Sequence, residues 1–66
     1  MDRLSKRIRA FRKLKGLTQH QLAEMSGLSI TVIGEVERGN RVVQGQALEH
    51  IAEALQVPVQ ELLGGE

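Results

Sequence analysis

The sequence predicts an all-α fold of five short helices, and three of its features point there. Apolar residues recur three and four positions apart along the chain, and no stretch shows the strict alternation of a half-buried strand. Helix starts and stops fall between those stretches, at Gly16, Thr18, Gly27, Ser29, Gly39-Asn40 and Pro58. No segment repeats another. The 66 residues make one domain, 1–66, near the lower size at which chains fold unaided. With no cysteine to staple it, stability must come from helix packing and from dimerisation.

The first helix is expected over 2–15. Asp2 is its candidate N-cap, Leu4, Ile8 and Phe11 recur on one face with Leu14 extending it, and Gly16 stops it. Thr18 and Gln21 then form a capping box, which opens a helix over 19–26 through Leu22, Ala23 and Met25. Gly27 falls where a chain leaving a helix needs φ > 0. Leu28 can tuck back into the core, and Ser29 caps a third helix over 30–38 whose inward residues, Ile33 and Val36, are three apart. Two helices with only Gly27, Leu28 and Ser29 between them cannot lie antiparallel, so they cross steeply, as in a helix-turn-helix unit.

Within that third helix Gly34 costs about 1 kcal/mol against Ala, which makes sense if its backbone must approach something closely, either DNA or a packed helix. Asn40 to Gly45 is a loop. Its adjacent Val42 and Val43 are either tucked into the core or form an exposed apolar spot. A fourth helix over 46–56 has Leu48, Ile51, Ala52 and Leu55 on one side, with Glu49, His50 and Glu53 on the other. Pro58 suits the first turn of a last helix over 58–63, where Val59, Leu62 and Leu63 are apolar and Gly64-Gly65 ends the run.

Charge is unevenly spread. Met1 to Leu17 holds seven Lys or Arg against Asp2, a balance of +6, whereas Thr18 to Glu66 holds two Arg against seven acids, a balance of −5. This suits a protein that presents one face to a polyanion and turns the other away, although the basic face of the first helix also fits plain solvation. A membrane surface is a poor match, because few apolar residues there are available to insert. No signal peptide or membrane span is visible, so a cytoplasmic location is expected. His20 and His50 stand thirty positions apart with no partners at ligand spacing, so neither a metal site nor any cofactor is expected. No nucleophile, base and orienter can be assembled, which argues against an enzyme, and a lone Phe argues against stacking on single-stranded RNA.

The spacing of Gln19, Ala23, Gly27, Ile33 and Val36, followed by Glu37-Arg38-Gly39, resembles the Cro and phage-repressor (Xre-type) helix-turn-helix family from Leu4 to about Leu63. The resemblance implies a five-helix, repressor-like DNA-binding domain in which the helix over 30–38 reads an operator in the major groove. It also implies that Gln19 is a phosphate-contacting glutamine, and that Glu37 turns inward to pair with Arg12. Removing one partner of such a pair costs about 3 to 5 kcal/mol if it is buried, whereas an exposed pair is worth under about 1 kcal/mol. The chain departs from the family in two places. Val42, Val43 and Gln44 replace an Asn-Pro-Ser-like stretch, and Ile30 stands where the family often carries Gln or Arg.

With Ile33 and Val36 inward, Ser29, Ile30, Thr31, Gly34 and Glu35 are expected to face bases. Thr31 can bond a base edge or touch a thymine methyl, and Glu35 can accept from a cytosine amino group. Arg38, Asn40 and Arg41 are expected on phosphates. One recognition helix reads few base pairs, so a homodimer on a pseudo-palindromic operator is expected, joined through Val59, Leu62 and Leu63. Transcriptional regulation, as a repressor, is the function these expectations describe. The competing reading is a protein-interaction module or antitoxin component that keeps the fold and uses Met25, Val42, Val43 and Leu63 as contacts.

Overall fold

Residues with a local reason to start or stop a helix divide the chain into five, as seen in the computed structural model, which describes residues 3–64. They are α1 (Arg3–Leu14), α2 (Gln19–Ser26), α3 (Ile30–Glu37), α4 (Gly45–Leu55) and α5 (Val59–Leu63), with no strand among the described residues. Asp2, Gly65 and Glu66, including the expected N-cap of α1, lie outside the described residues.

The capping box forms in full. Gln21 N–H donates to Thr18 Oγ1 at 3.0 Å, and Thr18 N–H donates to Gln21 Oε1 at 2.8 Å. Gly27 ends α2 at φ +78°, a conformation that crowds any Cβ. Ser29 starts α3 by accepting from Val32 N–H at 3.1 Å. That helix closes one residue before its expected end, with Arg38 as C-cap.

Other boundaries move for conformational reasons. Helix α4 begins at Gly45, whose φ of +62° turns the chain into the helix while the Gln44 side chain makes no capping bond. It ends at Leu55 because Gln56, expected within it, adopts φ +61° and is the sole non-glycine residue at positive φ among those described. Pro58 is the N-cap of α5 rather than part of its first turn.

Helix α2 packs on α3 and α4, while α1 packs on α5, α3 and α4. Between them Ile8, Leu22, Ile33, Val36, Ile51, Leu55 and Leu62 are almost fully buried, and Leu4, Phe11, Leu17 and Leu28 pack around this centre. Val42 and Val43 divide: Val43 is core and Val42 is exposed. Leu14, expected on the core face, is 76% exposed. Six residues beyond Ile8 lies roughly 120° round the helix, outside the inward sector that runs from buried Ser5 and half-buried Arg12 on one flank through Ile8 to Leu4 and Phe11 on the other. Leu17, past the Gly16 turn, fills the inward position instead.

Since a left-handed conformation strains a residue with a Cβ, Gln56→Gly should stabilise the fold by up to about 1 kcal/mol. Urea denaturation checks this, and an unchanged or lower midpoint would count against strain at Gln56.

Candidate nucleic-acid interface

Helix α3 is held from beneath by a buried ionic cluster. Arg12 Nε–H donates to Glu37 Oε2 at 2.6 Å and Arg12 Nη2–H to Glu37 Oε1 at 3.0 Å, while Arg12 Nη1–H donates to the Leu17 carbonyl at 2.8 Å. The side chains of Arg12 and Glu37 are only 11% and 3% exposed. Gln19 Nε2–H adds a further bond to Glu37 Oε1 at 3.0 Å. The cluster therefore joins α1, the turn after it, the start of α2 and the end of α3. Sequence reasoning finds the arginine and glutamate but not the glutamine's third arm, since nothing in local spacing links positions 19 and 37.

Of the residues expected to face bases, Ser29 and Thr31 are exposed and Glu35 is half-buried. The Ser29 oxygen already accepts the capping bond. Ile30 is half-buried against the core and offers only part of its side chain. Gly34 does not face outward: it is buried, because Arg38, four residues on, folds back across it.

Three of the four expected phosphate residues, Arg38, Asn40 and Arg41, lie at the other end of the same helix, whereas Gln19 opens α2. Arg41 Nε–H donates to Glu35 Oε1 at 2.7 Å, a contact made possible because Asn40 N–H donates to the Glu35 carbonyl at 2.9 Å and turns the chain back. The Glu35 carboxylate is thus already paired through one oxygen. The Gln19 side chain points its nitrogen inward to Glu37, so its amide is engaged within the protein. Arg38, Asn40 and Arg41 are all exposed. A four-residue separation on one helix face was a readable signal for the Arg38 contact with Gly34, whereas the Arg41 contact depends on the loop's return.

The remaining surface is less specific. A shallow groove of about 330 Å³ along α1, lined by Arg7, Ala10, Phe11 and Leu14, contains one charged side chain and no acid–base pair. No described helix is long and apolar enough to cross a membrane. Within the expected dimer set, Leu63 is 55% exposed and Val59 half-buried, but Leu62 is fully buried in its own core and has no surface to offer a second copy. Among the expected protein-contact residues Met25, Val42 and Leu63 are exposed, and Val43 is not.

Residues 8–62 match the family described as Helix-turn-helix. An uncharacterized HTH-type transcriptional regulator of Bacillus subtilis (strain 168), YazB, is 46% identical over 57 residues, covering 86% of this chain and 83% of that protein. Among solved structures, the restriction-modification controller protein C.AhdI from Aeromonas hydrophila is similar with a TM-score of 0.88 at 40% identity, over 91% of each chain. The P22 c2 repressor in complex with a synthetic operator is similar with a TM-score of 0.88 at 33% identity, over the whole of both chains.

Truncating Arg12 would leave the Glu37 carboxylate buried with Gln19 as its one remaining partner, so Arg12→Ala should cost about 3 to 5 kcal/mol. Lys13→Ala, at an exposed position of the same helix, should stay within about 0.5 kcal/mol. Thermal melts of the two variants decide this, and equal losses would refute a structural role for the pair.

Proposed function

The chain belongs to the helix-turn-helix family of the Cro and phage-repressor (Xre) type, and from that membership and the exposed side of α3 we propose that it is a cytoplasmic, sequence-specific regulator of transcription, acting as a repressor on double-stranded DNA. One observation carries the reading. Helix α3 buries Ile33, Val36 and Glu37 on one side and leaves Ser29 and Thr31 open on the other, with Arg38 and Arg41 exposed just beyond its end. A helix so divided can enter the major groove while cations beyond it meet phosphates. The likeness to a repressor solved on its operator supports this use of the same element.

In this reading Thr31 meets a base edge, Ser29 and the exposed part of Ile30 line the groove beside it, and Glu35 keeps one carboxylate oxygen for a cytosine amino group. Gln19, Arg38, Asn40 and Arg41 take phosphates, Gln19 through the backbone N–H groups of the α2 start. Two copies related by a two-fold axis would place their α3 helices about 34 to 36 Å apart on a pseudo-palindromic site. Leu63, with Val59 beside it, is the apolar surface at the C-terminal end that supports such pairing. The exposed side chains of Met25 and Val42 favour a second reading, as contacts for a protein partner.

Duplexes selected by the chain from a randomised pool, then measured by gel shift at rising salt, test the proposal. A chain that shifts no duplex at any salt would favour the protein-partner reading. On a selected duplex, Thr31→Ala should lose about 1 to 3 kcal/mol of affinity and leave binding to random DNA little changed. Loss of the same size on random DNA would remove Thr31 from base reading. Leu63→Glu should abolish cooperative binding to a full site while sparing a half-site, and unaltered full-site binding would place the dimer contact elsewhere.

A further inference from the structure

Gly34 has an ordinary helical backbone, since it is absent from the glycines at positive φ, so conformation gives no reason for glycine there. Its surroundings do. A Cβ at this position would lie 3.2 Å from Arg38 Nη1, 3.9 Å from Arg38 Cζ and 4.0 Å from Gln19 Oε1. The nearest obstacle is the tip of a flexible side chain rather than packed core or backbone. Arg38, one turn further on, lays its guanidinium across the gap. Gln19 contributes to the same spot, because its amide nitrogen is held by Glu37 and its oxygen is thereby turned toward Gly34.

Charge makes the arrangement informative. Residues 30–37 contain Glu35 and Glu37 and no cation, an unfavourable balance for a helix that must approach phosphates. Both acids are neutralised by other arginines, Glu37 by Arg12 and Glu35 by Arg41. Among the described residues Arg38 has no ion-pair partner. Fixing a long side chain in advance lowers the ordering cost that binding would otherwise carry.

We propose that Gly34 is a positioning residue: by carrying no side chain it seats the Arg38 guanidinium against α3 and so pre-places that cation for a DNA phosphate. This rests on the DNA-binding reading above. The seat itself is a property of the free protein.

Gly34→Ala is the direct test, because the two roles of glycine move its readouts in opposite directions. Helix propensity should raise the melting temperature by a few degrees. At the same time the Arg38 Nε–H should become more mobile in ¹⁵N relaxation measurements of the free protein, and affinity for selected and random duplexes alike should fall about tenfold, with the salt slope reduced by about one. Arg38→Ala should reproduce that loss, and adding Gly34→Ala to it should cost nothing more. Unchanged affinity in Gly34→Ala would overturn the proposal, as would an equal loss on the Arg38→Ala background, which would mean that DNA itself needs the gap. If the unaltered chain shifts no duplex, the DNA reading falls. The relaxation measurement still decides the seat, since equal Arg38 order in both chains overturns it without reference to DNA.

Discussion

The rest of the structure depends on a carboxylate buried among three N–H donors. Glu37 is fixed by two bonds from Arg12 and one from Gln19, and Arg12 reaches on to the Leu17 carbonyl. Removing two charges from water is expensive, and a pair of well-packed apolar residues could hold the helices together at least as firmly. What an ionic cluster adds is direction. A bidentate guanidinium–carboxylate contact tolerates little rotation, so the end of α3 is held at a defined angle to α1 in a way that apolar contact alone would not impose. In a chain of 66 residues with a small core, that constraint adds to the burial of Ile33 and Val36 in orienting α3.

The outward side is modest in its own chemistry. Thr31 and Ser29 are short, Ile30 is partly withdrawn into the core, and Gly34 is covered. Positive charge reaches α3 from beyond its C-terminal end, where Arg38 folds back along the helix and Arg41 returns through the Asn40 turn to Glu35. In the DNA-binding reading proposed above, the division of labour would follow from physical range. Phosphate contacts give affinity and orientation without sequence information, whereas short side chains in a groove discriminate among bases and add little attraction at a distance.

The C-terminal end has a comparable division. Leu62 completes the monomer core, and Arg7 on α1 both donates to the Glu61 carbonyl and faces its carboxylate, so α5 is held to α1 by burial and by polar contact. Leu63, the next residue along, is left as apolar surface. One short helix thus serves the fold with one leucine and leaves the other exposed.

The sequence by itself determined the helices and most of the core, because both rest on local chemistry. The Thr18–Gln21 box, the Ser29 cap, the left-handed Gly27 and the spacing of Leu48, Ile51, Ala52 and Leu55 each act within one or two turns of chain. The Arg12–Glu37 pair was also legible, through resemblance to a family rather than through spacing. Tertiary structure decided where side chains go when a helix has more than one candidate face. Leu14 was turned out although Leu4 and Phe11 were turned in, Val43 was buried and Val42 was not, and Gln19 was drawn to a glutamate eighteen residues away. Gly34 was covered by an arginine whose direction depends on what surrounds the end of α3. Periodicity specifies which residues share a side of a helix. Which side is buried depends on what the neighbouring helices bring to it, and that is known only once they are packed.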